Sequence, residues 1–110
     1  MRMFSAAVML LAATLSASAQ GAAPPDVMKD LAPTGKLRAA INFGNGVLAQ
    51  KGPNGEPNGI TPDLATALAK RLGVAVEFVP YEAAGKVFEG AKAGAWDIGF
   101  VAIEPVRAAE

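Results

Sequence analysis

Hydrophobic and polar positions change period several times along the chain, and each change marks an element. Leu37, Ala39 and Ile41 alternate with Arg38, Ala40 and Asn42, a period of two that predicts a strand. Asn42 to Gly46 is a polar, glycine-rich loop at its far end. Gly52 to Gly59 is rich in Gly, Pro and Asn and contains Asn54-Gly55, which predicts a small hairpin with arms at Val47–Gln50 and near Ile60. From Pro62 to Leu72 the spacing becomes helical, with Leu64, Ala67, Leu68 and Leu72 on one face. Thr61 suits the N-cap, Asp63 the positive end, and Lys70 and Arg71 the last turn before Gly73 stops the helix. Val74, Val76 and Phe78 then alternate up to Pro80, predicting a second strand. A helix over Ala83 to Ala93 turns Val87, Phe88 and Ala91 inward. Trp96 to Ile103 is an almost unbroken apolar run, the pattern of a strand buried on both faces. A short helix over Asp26 to Leu31 precedes these elements, and Glu104 to Glu110, with Pro105 near its start, begins another. Strands alternating with helices predict an α/β chain with a mainly parallel sheet and flanking helices.

The N-terminal pattern is of another kind. Met1-Arg2 carries a positive charge, Ala6 to Leu15 is uncharged, and Ala17-Ser18-Ala19 is small at its first and third positions. This is the three-part pattern of a secretory signal over residues 1–19, cleaved before Gln20. The apolar stretch is shorter than the roughly 20 residues a bilayer span needs, so no stable membrane span is expected after cleavage. Residues 20–25 read as a linker and 26–110 as the exported body of the protein, with a periplasmic location.

Charge and composition narrow the chemistry. Ten Lys and Arg balance ten Asp and Glu, and the chain has no His and no Cys. Removing residues 1–19 takes away only Arg2 among the charges. A near-neutral surface gives no electrostatic case for nucleic acid. The absence of Cys removes disulfides, thiolate nucleophiles and Cys/His zinc sites, and the absence of His removes the commonest general base. Nothing gathers the carboxylates into a metal site, and no cofactor is expected. Gly44-x-Gly46-x-x-Ala49 fits the letters of a dinucleotide fingerprint, with Asp63 nineteen residues after Gly44. That mechanism requires a helix starting at the loop, where the sequence instead reaches the Gly52-Pro53 break, so the nucleotide reading is rejected.

Four segments carry a family resemblance. Leu37-Arg38-Ala39-Ala40-Ile41 is similar to a first strand. Gly59-Ile60-Thr61-Pro62-Asp63-Leu64 with Ala69-Lys70-Arg71-Leu72-Gly73 is similar to a helix opening and its end. Gly94-Ala95-Trp96-Asp97-Ile98 resembles the turn and strand before a binding segment, and Arg107 stands five residues after Ala102. In this order they resemble the start of the bacterial extracellular solute-binding proteins of family 3, the polar amino-acid type. The resemblance implies the first lobe of a two-lobe, type II periplasmic-binding-protein fold. It also implies a function of capture rather than catalysis, with a small carboxylate-bearing solute such as an amino acid passed to the permease of an ABC transporter. Arg107 would grip the carboxylate through two parallel hydrogen bonds, assisted by backbone N–H groups around Ala102 and Ile103.

The departures from the family pattern also fall on named positions. The resemblance puts a family hydroxyl at Ala102, an aromatic lid at Ile60, an amine-reading acid at Asn42 and a second aromatic near Asn45, and this chain carries none of these groups there. Each candidate has a plainer reading beside it. Arg107 lies at helical spacing from Glu104 and Glu110 and reads equally as a surface ion pair. Asn42 and Asn45 read as turn formers, Ile60 and Phe100 as core, and Trp96 as packing at a strand start. The resemblance extends over the opening part of the family only, so an incomplete first lobe is expected, a truncated form that binds poorly alone. An exported dehydratase acting on cyclic carboxylates, with Glu104 or Glu82 as the acid, and an extracellular sensor domain are the alternative readings.

Overall fold

A computed structural model of the chain describes residues 23–109. The secretory signal expected over residues 1–19 and most of the expected linker lie outside these residues. β1 (Lys36–Asn42) holds the centre: Leu37, Ala39, Ala40 and Ile41 are all buried, so side chains on both faces of the strand are covered. The alternation of Arg38 and Asn42 with apolar residues marked the strand, but Ala40 belongs to the interior as well. α1 (Pro25–Leu31) begins one residue earlier than the sequence pattern suggests, with proline at its first position. It sends Val27, Met28 and Leu31 against a cluster centred on Leu37, Ala69 and Leu72.

β4 (Ala75–Tyr81) runs parallel to β1 in the register Leu37↔Val76, Ala39↔Phe78 and Ile41↔Pro80. It passes through Pro80 rather than ending there. β1 is the partner of β4 among the described residues, so β4 is an edge strand, where a missing N–H can face away from the ladder. Between β1 and β4 lie the hairpin and α2 (Ile60–Leu72). The hairpin is smaller than expected: β2 (Gln50–Lys51) pairs antiparallel with β3 (Pro57–Asn58), and residues 46–48 form a turn instead of a strand arm. Gly55 sits at its tip with φ +81°, a backbone angle that favours glycine. No helix starts at the Gly44–Ala49 loop, in keeping with the rejected fingerprint.

α2 begins at Ile60 with Gly59 at the cap position, so Thr61 is inside the helix and is not its N-cap. Its hydroxyl and its backbone N–H both reach the carbonyl of Leu48, at 3.3 and 3.1 Å, which ties the helix start to the preceding loop. This anchoring rotates the inward face. Thr61, Pro62, Ala65, Ala69 and Leu72 are buried, while Leu64 is 54% exposed and Ala67 is exposed too. Small residues at 65 and 69 let the helix approach the sheet closely, and Leu68 packs at the margin. Gly73 closes the helix at φ +75°, its N–H donating to the Ala69 and Lys70 carbonyls.

α3 (Ala84–Lys92) packs on β1 and β4. Val87 and Gly90 face inward and Ala91 is exposed, a correction to the helical face expected from sequence. Gly90 is required by close approach: a Cβ there would overlap the Tyr81 hydroxyl and lie 3.1 Å from the Trp96 indole nitrogen. The run from Trp96 to Ile103 is not a doubly buried strand. It touches β1 in parallel through a single bridge, Ala39↔Ile98, and then leaves the sheet. No strand among the described residues covers its outer side, so Val101 and Ile103 are exposed. The chain then enters α4 (Pro105–Ala108), with Glu104 at the cap position.

Candidate functional site

The segment around Asp97 and Ile98 is fixed to β1 by an ion pair that the sequence reading did not identify. Arg38 donates to Asp97 through Nη2 at 2.8 Å, through Nε at 3.2 Å and through its backbone N–H at 2.9 Å. It also donates to the Gly94 carbonyl at 2.9 Å. The Asp97 side chain is 3% exposed. In return the backbone N–H groups of Asp97 and Ile98 donate to the Arg38 carbonyl, and Ala40 donates to Ile98. The Asp97 hydrogen bond raises the guanidinium pKa against the opposing effect of desolvation, and the charges of Asp97 and Glu77 add to the rise. The signal for this pair was Arg38, the one charged residue among Leu37 to Ile41.

Because Ile98 runs parallel to β1, the residues after it head toward the carboxyl ends of β1 and β4, where Asn42 lies opposite Tyr81. Arg107 and Ala102 are brought together there, in a cleft of about 210 Å³ that Phe88, Val101, Ile103 and Glu104 also line. The Arg107 guanidinium stands 5.3 Å from the centre of the Phe88 ring, and its Nε is 3.4 Å from a Glu104 carboxylate oxygen. The Glu104 ion pair suggested by helical spacing is present, and the same guanidinium lines the cleft. A second cleft of about 240 Å³ adjoins the first through Phe88 and Val101, and Ala91, Lys92 and Trp96 complete its walls. Trp96 is held in place by a 2.8 Å hydrogen bond from its indole N–H to the Val87 carbonyl.

The other candidates lie apart from this cleft. Asn42 accepts from the Gly44 N–H at 2.8 Å and Asn45 accepts from the Val47 N–H at 3.2 Å, so both shape turns. Ile60 opens α2 and is 54% exposed, which corrects its reading as core. Near the same end of β1, Lys51 lies 5.2 Å from the Phe43 ring centre and pairs with Glu82 at 2.7 Å, both side chains being exposed. Glu82 does not line the Arg107 cleft, whereas Glu104 does. Among the described residues no three His, Cys, Asp or Glu side chains gather around a possible metal position, and no helix is long and apolar enough to cross a membrane. Sequence reasoning placed Phe88 in the core; it is instead the wall shared by both clefts, and only the fold brings it to Arg107.

Residues 47–110 match the sequence model of the bacterial extracellular solute-binding proteins, family 3. No curated protein matches the chain significantly. Among solved structures, the chain is 32% identical to an ancestral cationic amino acid solute-binding protein (TM-score 0.64), with 77% of this chain and 36% of that one covered. It is 29% identical to an ancestral cyclohexadienyl dehydratase (TM-score 0.66), with 76% and 35% covered. An arginine-bound domain 1 from TmArgBP, 23% identical over 76% of this chain and 64% of that one, shares the fold with a TM-score of 0.62. The chain thus spans about a third of the length of the first two of these proteins. With a parallel β1–β4 pair, flanking helices and the matching segment through Arg107, the chain belongs to the bacterial extracellular solute-binding proteins of family 3 and carries part of their type II periplasmic-binding fold.

Proposed function

We propose that this chain supplies one lobe of an exported, periplasmic solute-binding protein that captures an amino acid or a related small carboxylate for an ABC transporter. Arg107 is the residue that reads the carboxylate. The supporting observation is its position: a guanidinium stacked over Phe88 at the rim of a cleft that contains Ala102. Glu104 engages Nε, so a carboxylate has the Nη edge on which to dock in a fork. The backbone around Ala102 and Ile103 lines the same cleft and is placed to assist. Asn42, Asn45 and Ile60 shape the neighbouring loop and helix start and do not enter this contact.

The test is a urea melt of the purified chain with and without a mixture of amino acids and small carboxylates. A ligand held by the folded state raises the midpoint, because binding is linked to folding. Arg107→Lys keeps the charge but loses the planar fork, and is expected to abolish the shift while leaving the midpoint without ligand unchanged. A shift that survives in Arg107→Lys would overturn the assignment of the carboxylate to this residue.

A second reading has one observation in its favour, the 29% identity to an ancestral cyclohexadienyl dehydratase. In that reading Glu104 would be the acid beside a bound cyclic carboxylate, since it shares the cleft with Arg107. Turnover that disappears in Glu104→Gln would establish it, and binding without turnover at any pH would remove it.

A further inference from the structure

Asparagine is followed by glycine at Asn45-Gly46, Asn54-Gly55 and Asn58-Gly59, and all three asparagines are exposed. Glycine has no side chain to shield its backbone nitrogen, which can therefore attack the side-chain amide of the asparagine before it. We propose that the fold selects one of the three, making Asn45 a self-modifying residue that converts to aspartate and isoaspartate without an enzyme. The reaction needs only water. The Gly46 nitrogen gives up its proton and forms a bond to Asn45 Cγ. The bond from Cγ to Nδ2 breaks, and the amide group leaves with a proton as ammonia. Water then opens the cyclic imide. Opening at Cγ gives aspartate, and opening at the backbone carbonyl gives isoaspartate, whose main chain runs through the former side chain.

Asn45 is set up for the first step. Its Oδ1 accepts from the Val47 N–H at 3.2 Å, a closed turn that holds Cγ beside the intervening Gly46 nitrogen. The same donor faces the oxygen on which negative charge develops during the attack. Among the described residues no hydrogen bond engages the Gly46 N–H, and nothing lies within 4 Å of the place a Cβ would take. The other two pairs are blocked. The Gly55 N–H donates to the Gly52 carbonyl at 2.9 Å, a bond that attack on Asn54 has to break. Asn58 is held in β3 opposite Gln50, and the Leu48 carbonyl oxygen lies 2.9 Å from where a Gly59 Cβ would stand, so this backbone has no room to turn toward the side chain. Conversion of Asn45 also reaches α2. The Asn45 carbonyl accepts from the Leu48 and Ala49 N–H groups at 3.0 and 3.2 Å, and Leu48 anchors Thr61. In isoaspartate that carbonyl becomes a free carboxylate beside the main chain, and the loop loses the turn that holds this anchor.

The test incubates the full chain in mildly alkaline buffer, folded and in strong urea, with tryptic digestion and mass spectrometry at intervals. Peptide 39–51 carries Asn45, and peptide 52–70 carries Asn54 and Asn58, which fragmentation separates. In the folded chain Asn45 is expected to gain the amide-to-acid mass at least about tenfold faster than Asn54 or Asn58, the ratio that one hydrogen bond in the barrier provides. In urea the three rates should converge. Asn45→Gln and Gly46→Ala should each remove conversion from peptide 39–51, Gly46→Ala without lowering the urea midpoint. No conversion of Asn45 in the folded chain, equal rates at the three asparagines, or a preference for Asn45 that persists in urea would each overturn the proposal.

Discussion

At the residue scale, single contacts in the loop after β1 set sharp expectations. A Cβ on Gly44 would come within 2.6 Å of the Glu82 carbonyl oxygen and 2.9 Å of the Asn42 side-chain oxygen, so backbone has to move. Gly46, two residues on, has nothing within 4 Å of the same position and no positive φ. Gly44→Ala is therefore expected to cost about 1–3 kcal/mol in a urea melt, as overpacking does. Gly46→Ala should be neutral or stabilising by up to about 1 kcal/mol, because it restricts the unfolded chain. Equal effects at both positions would contradict the packing of this loop on Glu82. The Arg38–Asp97 pair makes a different prediction. The guanidinium pKa is raised in the folded state above an already very basic value. A raised folded pKa gives a stabilisation that is complete below the unfolded pKa and is lost as pH climbs from there through the folded pKa. Asp97→Ala should therefore lower the urea midpoint by an amount that stays constant between about pH 6 and 10. A difference that vanished toward pH 10 would show that the pair is not what holds Ile98 to β1.

At the scale of elements, most of the fold was legible in the sequence, and the departures share a cause. β1, α2, β4 and α3 all form where periodicity and the Gly73 stop placed them, within a few residues. Periodicity fixes that a helix has an apolar face, but the neighbouring chain fixes which stripe is pressed inward. In α2 the contact of Thr61 with Leu48 selects the Ala65–Ala69 stripe over Leu64 and Ala67. In α3 the bulk of Tyr81 and Trp96 selects Gly90 over Ala91. The Trp96–Ile103 run read as a strand because hydrophobicity alone cannot report whether a partner strand lies beside it. Arg107 and Ala102 were singled out through the resemblance, while the place of Phe88 beside Arg107 and the Arg38–Asp97 pair depend on contacts between distant segments that no local spacing encodes. These assignments can be separated by paired truncations. Ile41→Ala, in the fully buried centre of β1, is expected to cost about 2–5 kcal/mol. Leu64→Ala, on the outer face of α2, should stay within about 0.5 kcal/mol. A large loss from Leu64→Ala would restore the helical face drawn from periodicity alone.

For the molecule as a whole, the consequence lies in what the sheet leaves uncovered. Beyond Ile98 the chain carries Val101, Ile103 and Val106, of which Ile103 is fully exposed, and the two clefts behind them have largely apolar walls. An apolar strip of this kind on a small domain favours association or dye binding. Among the described residues the outer edge of β4 has no partner strand, which adds backbone donors and acceptors free to pair. The chain is therefore expected to bind an apolar fluorescent dye in its folded state and to sediment as larger species as its concentration rises. Ile103→Lys combined with Val106→Glu should reduce both effects while leaving the urea midpoint within about 0.5 kcal/mol of the parent, because exposed side chains add little to folding. If the double variant still associates, the β4 edge rather than this strip drives the contact. Strand-blocking charges on β4, at Val79 or Tyr81, would then be the changes that restore a monomer. The proposed capture of a carboxylate would share this surface, since Val101 and Ile103 also line the Arg107 cleft. If Arg107 captures a carboxylate as proposed, association through the strip should compete with it, so the midpoint shift produced by the mixture of amino acids and small carboxylates is expected to shrink as protein concentration rises. The dependence should weaken in Val106→Glu alone, since Val106 is exposed but does not line the cleft.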